Sequence, residues 1–183
     1  MGVKGKRPLR KLEGRFEEPD LIIDVDDILR EAADNECVDG KGNLLLDKIA
    51  ELHHITVRYE ELPSTQSGYI RSNGDDYTIG INAKHHPKRQ RFTLGHELGH
   101  YFLHRGKNVE FEDEIMYRIE NSSSIEYAAN EFAARLLIPQ DRLEERIKEG
   151  MTDLKELADY FEVSIEAMRY RVLSLNYSIS SNG

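Results

Sequence analysis

The chain has 183 residues, 39% of them hydrophobic, a single cysteine and a formal net charge of −9. That length suits one main core. The lone Cys37 excludes a disulfide framework and a cysteine metal cluster, and the acidic balance argues against nucleic acid as a partner. No apolar run approaches the roughly 20 residues of a membrane span, and the basic start lacks the apolar stretch of a secretion signal. The expectation is therefore a cytoplasmic protein with no membrane partner.

The first fifteen residues hold six Lys or Arg against one Glu, so residues 1–20 read as a disordered basic tail. From Leu21, "LIIDVDDILREAADNE" carries apolar residues near helical spacing with acids in the early turns, and predicts a first helix. "DGKGN" breaks it, and Asn43 is the expected cap of a second helix bearing Leu45, Leu46, Ile49, Ala50 and Leu52. "ITVRYEEL" alternates and is β-branched, the pattern of a strand. Residues 68 to 82, "GYIRSNGDDYTIGIN", form two extended runs around Asn73-Gly74, a pair suited to positive φ, and predict a β-hairpin. A small antiparallel sheet is expected from these strands.

"TLGHELGHYFLH" follows, on a predicted helix. His96 and His100 lie four residues apart, so their side chains point only about 40° apart and one turn along, close enough to share one ion at ~2.0–2.1 Å. Glu97 projects about 100° from His96, where it can touch a water beside that ion, the position of a general base. Glu97 is the one charge in residues 92 to 102, and a carboxylate in so apolar a helix needs a partner. Gly95 and Gly99 each cost a helix about 1 kcal/mol and share a side away from Glu97, which implies a second backbone packed close there.

A catalytic zinc takes three protein ligands. His104, a further four residues on, lies about 80° from His96, and three ligands over two turns fit one tetrahedral ion poorly. It reads as a neighbour of the site or as a packed histidine. The longer H-E-x-x-H-x-x-G-x-x-H pattern fails at Leu103 and Gly106.

After an acidic stretch over residues 105 to 124, read as a loop that can act as a lid, the residues Ile125, Ala128, Ala129, Phe132, Ala133, Leu136 and Leu137 mark a helix ended by Pro139. Glu126 sits at the edge of that stripe as the candidate third ligand, although Ser123-x-x-Glu126 also reads as a capping box. Asn130, four residues later, can orient a ligating histidine. Spacing selects no oxyanion stabiliser among Tyr77, Tyr101, Tyr127, Tyr170 and His85.

A short helix then runs to Gly150, and residues 152 to 175 read as two helices capped by Thr152 and Ser164. This pair is helix-turn-helix-like, with Arg169 and Arg171 on its second helix. The alternative function is thus a DNA-binding regulator with a structural metal. Against it stand Asp153, Glu156, Asp159, Glu162 and Glu166, which would meet phosphates poorly. Residues 176–183 read as a frayed tail.

The two stretches "RFTLGHELGHYFLH" and "EYAANEFAARLLIP" resemble the ImmA/IrrE family of metallopeptidases, over roughly residues 22 to 175. The resemblance implies a zincin-like domain over residues 21–140 and an α+β fold, with the H-E-x-x-H helix as active-site helix and a C-terminal helical subdomain, residues 141–175, packed on it. It implies a zinc endopeptidase in which His96, His100 and Glu126 match the metal ligands and Glu97 the catalytic acid/base. Members often place acids four and two positions before the Asn of the second motif; Ala128 holds the nearer place here, which favours Glu126. A zinc ion is implied, with Mn or Fe as fits to two His and one carboxylate. The implied protein substrate is a helix-turn-helix transcriptional repressor or an antitoxin. The sequence assigns no oligomeric state.

Overall fold

The computed structural model describes residues 2–6, 24–74, 76–104 and 122–180, with side chains outside the first strand over residues 24–74, 76–103 and 124–179. The acidic stretch 105–121 and the lid reading attached to it lie outside these residues. The chain divides into two compact units, one of Ile22–Leu137 and one of Ile138–Gly183 with the residues up to 21. Among the described residues no helix is long and apolar enough to cross a membrane.

In the first unit, α1 (Val25–Asp34) starts where the Asp24 carboxylate accepts from the Asp26 N–H. Its stripe of Val25, Ile28 and Ala32 is buried. The second helix, α2 (Leu46–Leu52), begins later than Asn43 would place it, with Leu45 at the cap and no side-chain cap bond. Asn43 instead stands in a tight turn, where the Asp39 carboxylate accepts its N–H and that of Lys41. Beside that turn Val38 bridges Leu44.

Three strands follow: β2 (Ile55–Glu60), β3 (Gly68–Asn73) and β4 (Asp76–Asn82), the label β1 belonging to the strand Gly2–Lys6. Their order is β2-β4-β3. The hairpin pairs Gly68 with Ile81 through to Asn73 with Asp76, antiparallel. Its turn thus falls one residue later than the Asn-Gly pair suggests, and Gly74 supplies the positive φ of 74°. The sheet is not wholly antiparallel as the sequence reading held: β2 runs parallel to β4, from Ile55 opposite Tyr77 to Glu60 opposite Asn82. Alternation of side chains is the same for either strand direction, so the pattern carries no information on it.

Helix α3 (Pro87–His104) packs on this sheet and α4 (Ser122–Leu137) packs on α3. Leu94, Leu98 and Phe102 of α3 are buried with Ile79 and Ile81 of β4 and with Ala129, Phe132, Ala133 and Leu136 of α4.

In the second unit, α5 (Gln140–Lys148) follows Pro139, which ends α4 as read. Next come α6 (Leu154–Tyr160) and α7 (Ile165–Ser174). Asp153, not Thr152, caps α6 by accepting from Lys155 and Glu156, whereas Ser164 caps α7 as expected. Within the stretches read as a disordered tail and a frayed end, residues 2–6 and 177–180 are instead ordered as strands, the rest of both stretches lying largely outside the described residues. Gly2–Lys6 forms β1, antiparallel to β5 (Tyr177–Ser180). Each strand alone is too short and polar to announce itself, and the pairing joins the two ends of the chain. Arg171, read as a candidate for DNA, is buried, and its Nε donates to the Ile138 carbonyl.

Candidate metal centre

The site forms because two helices approach more closely than side chains normally allow. A Cβ on Gly99 would lie 3.1 Å from the Ala129 carbonyl oxygen and 3.1 Å from Phe132, and one on Gly95 would lie 3.5 Å from the Ala133 Cβ. The absent side chain of Gly99 lets the α4 backbone sit against α3 at Ala129, which sets Glu126 and Asn130 beside His96 and His100, whereas the space at Gly95 is that of an ordinary contact.

The Nε2 atoms of His96 and His100 are 2.9 Å apart, with their rings at 82°. Glu126 faces both, its Oε2 3.2 Å from His96 Nε2 and its Oε1 3.1 Å from His100 Nε2. All three residues offer atoms within 4.8 Å of one another, the group among the described residues that can hold a metal ion. His100 is 3% exposed and Glu97 2% exposed, deep in the protein.

His96 Nδ1 lies 2.9 Å from Asn130 Oδ1. An amide oxygen only accepts, so Nδ1 carries a hydrogen and Nε2 faces Glu126, as a lone pair when the ring is neutral and as a donor when it is charged. In the neutral ring a lone pair then faces a carboxylate oxygen, an arrangement that either a proton or a metal ion between them relieves. Ligands on a tetrahedral ion at ~2.0–2.1 Å stand ~3.3 Å apart, close to the spacings found. The Glu126 Oε1 atom is buried, and the neighbouring imidazole does not meet it at hydrogen-bonding geometry. Two imidazoles, a carboxylate and an orienting amide fit zinc, and fit Mn or Fe as a donor set.

The electrostatics agree. Burial opposes charging His96, yet Glu126, Glu97 and Asn130 outweigh it and hold its pKa above the ordinary value. Burial likewise pushes Glu126 upward, and the two imidazoles overcome it, leaving that carboxyl at about 2. The cluster is built to hold positive charge.

Glu97, one residue along, turns toward the sheet. A Cβ on Gly68 would lie 3.2 Å from Glu97 Oε1, 2.6 Å from Thr93 and 2.8 Å from the Gly80 carbonyl oxygen. The start of edge strand β3 is therefore pressed against the candidate base, and only glycine permits that contact. Sequence reasoning passed over Gly68, although a glycine opening a strand is a signal of close backbone approach. Of the candidate oxyanion stabilisers, Tyr77 and Tyr101 pack edge to face, with Tyr101 also against His53 and Phe102. Tyr127 is 62% exposed beside Glu126. His85 precedes α3 with its Nδ1 buried, and Tyr170 belongs to the other unit. The side chain of His104 lies outside the described residues.

Comparison with known proteins adds a lineage to this geometry. The family model described as IrrE N-terminal-like domain matches residues 50–173. Metallopeptidase ImmA of Bacillus subtilis (strain 168) is 30% identical over 105 residues, covering 54% of this chain and 56% of that protein. The radiation response metalloprotease IrrE of Deinococcus radiodurans is 36% identical over 96 residues, 50% of this chain and 29% of that protein. The chain therefore spans 56% and 29% of the length of these two curated relatives. A solved structure, a Mycobacterium tuberculosis transcriptional regulator, aligns with a TM-score of 0.56 at 19% identity. The match covers 80% of this chain and 45% of that one, a likeness of fold.

Proposed function

The chain belongs to the ImmA/IrrE family, and from that premise we propose that it is a zinc-dependent endopeptidase acting in the cytoplasm on a protein substrate, a helix-turn-helix transcriptional repressor or an antitoxin. His96, His100 and Glu126 are the metal ligands in this reading, and Glu97 is the catalytic acid/base. The observation that carries it is the meeting of the Glu126 carboxylate with both Nε2 atoms, at 3.2 and 3.1 Å. Mn or Fe would serve the same ligands.

Bound zinc supplies Lewis acidity, which polarises a peptide carbonyl and brings the pKa of water down to about 7. The chain does the rest. His96 and His100 present nitrogen lone pairs, and Asn130 fixes the tautomer of His96. Glu97, buried beside the start of β3, takes the proton of the attacking water and returns it to the leaving amine. A carboxylate so enclosed exchanges that proton with the reacting atoms rather than with bulk solvent.

The edge of β3, which pairs with no further strand among the described residues, supports an extended polypeptide laid along it, since backbone pairing holds a chain without reading much of its sequence. Substrate peptides N-methylated at alternate residues near the cut should lose binding; equal binding of all of them would remove this edge from the reading.

The regulator alternative loses support from Arg171, whose guanidinium is buried against the Ile138 carbonyl. The decisive experiment incubates the chain with a repressor encoded nearby, comparing native protein, Glu97→Gln and a chelated sample. Cleavage by the native, metal-loaded form alone is the expected result. Cleavage that persists in Glu97→Gln, or retention of DNA without any cleavage, would overturn it.

A further inference from the structure

Residues 83–91, "AKHHPKRQR", join β4 to the first turn of α3 and hold four Lys or Arg, two His and no carboxylate, in a chain of net charge −9. The first turn of α3 has no acidic residue, although a helix N-terminus carries partial positive charge and favours acids. Side chains and helix dipole thus add rather than cancel, and a negative partner is favoured here. Lys84 is paired with Glu61 at 2.8 Å, and Arg91 donates to the Leu44 carbonyl. Arg89 is exposed, and its Nη2 donates to the Ser67 hydroxyl at 2.8 Å. That bond occupies one of five donors.

Ser67 is held in place. Asn82 donates its backbone N–H to the Ser67 carbonyl, and its buried side chain donates to the carbonyls of Leu62, Pro63 and Gln66. The next residue is Gly68, which lies against Glu97. Arg89, Ser67, Gly68 and Glu97 therefore form a continuous path from the basic turn to the candidate base. Arg89 and His96 are seven residues apart on α3, a rise of about 10 Å, or about three residues of extended peptide.

We propose that Arg89 is a specificity-determining residue that binds the carboxylate of an acidic side chain about three residues from the scissile bond. This rests on the peptidase reading. A guanidinium fork takes a carboxylate through two parallel bonds, and the Ser67 bond holds the fork in position. A nucleic acid fits less well, because its regular phosphates would continue toward Glu97 and Glu126, whereas a peptide brings its charge to one place.

The test reads binding without turnover. The metal-free full chain is titrated, by fluorescence anisotropy, with labelled 12-residue peptides of one neutral framework that carry two Glu, two Gln or two Lys at the same place, and with a 12-nucleotide single-stranded DNA. The Glu peptide should bind about fivefold or more tightly than the Gln peptide. Arg89→Gln should abolish that preference, Arg89→Glu should transfer it to the Lys peptide, and Lys148→Gln in the other unit should leave it intact. Equal binding of Glu and Gln peptides, a preference that survives Arg89→Gln, or DNA bound more tightly than the Glu peptide and released by Arg89→Gln would overturn the inference. The metal-loaded chain is then given a peptide mixture. Cuts without enrichment of acids near them would also overturn it. An Arg89-dependent preference with no cutting would instead remove the peptidase reading and leave an acidic-peptide site.

Discussion

Asn130 Oδ1 accepts from His96 Nδ1 at 2.9 Å, and this bond between two helices decides which nitrogen of the imidazole faces Glu126. Orienting bonds of this kind are worth about 10- to 100-fold in metal affinity. Asn130→Ala should weaken zinc binding by that factor in competition with a chromophoric chelator. Asn130→Asp, which keeps the acceptor, should retain most of it. Equal zinc affinity in Asn130→Ala would mean that the ring is held by packing alone.

The two glycines of α3 should respond in opposite directions. At Gly95 the nearest atoms to a new Cβ stand 3.5 Å away, ordinary contact. Gly95→Ala should therefore be neutral or stabilising, by up to about 1 kcal/mol from helix propensity. At Gly99 the new Cβ meets the Ala129 carbonyl oxygen at 3.1 Å and the Ala129 Cα at 3.2 Å, and helix backbone yields poorly. Gly99→Ala should lower stability by about 1–3 kcal/mol and loosen zinc binding by displacing Glu126. Denaturant midpoints of the two variants check the first claim, and chelator competition the second.

This pair of glycines also marks how far the sequence speaks for itself. Their shared face implied a close neighbour, and the period of α4 supplied one, because helical spacing is local and survives any tertiary setting. Glu126 could be placed near the histidines on the same ground. The parallel pairing of β2 with β4 could not, since Ile55 and Val57 alternate identically in either direction. Nor could the pairing of Val3 with Ile179, which depends on two distant segments. Arg89 escaped notice because a run of Lys, His and Arg reads as solvated surface until the Ser67 bond ties it to the strand that touches Glu97.

Asn82 should prove one of the costlier positions to alter. Its side chain is fully buried, donates to three carbonyls and accepts from the Lys84 N–H. Asn82→Leu would strand those carbonyls inside the protein, at about 1–3 kcal/mol for each one that water does not reach. The expected outcome is a loss of about 2–4 kcal/mol in urea unfolding, with faster amide exchange over residues 62 to 67. A change below about 0.5 kcal/mol would show that the loop finds other donors.

Proton and metal should compete for the same place between His96, His100 and Glu126. Burial works against the His96 imidazolium, but Glu126 and its neighbours raise the folded pKa above 6.5. Without metal, the stabilisation from this charge is complete below 6.5 and disappears as pH rises through the elevated folded value. Glu126 has the opposite sign: its carboxyl falls from 4.5 to about 2, so its contribution is complete above 4.5 and is lost as pH drops toward 2. Between these limits the metal-free cluster is at its most stable. A metal needs the His96 lone pair, so binding must expel that proton. Zinc affinity should rise by up to about tenfold per pH unit from 6 upward, levelling above the raised His96 pKa. Calorimetric titration in buffers of differing ionisation enthalpy counts the protons released. Release of none at pH 6 would mean that His96 is already neutral in the folded protein, and that Asn130 and Glu126 do not hold the charge assigned to them.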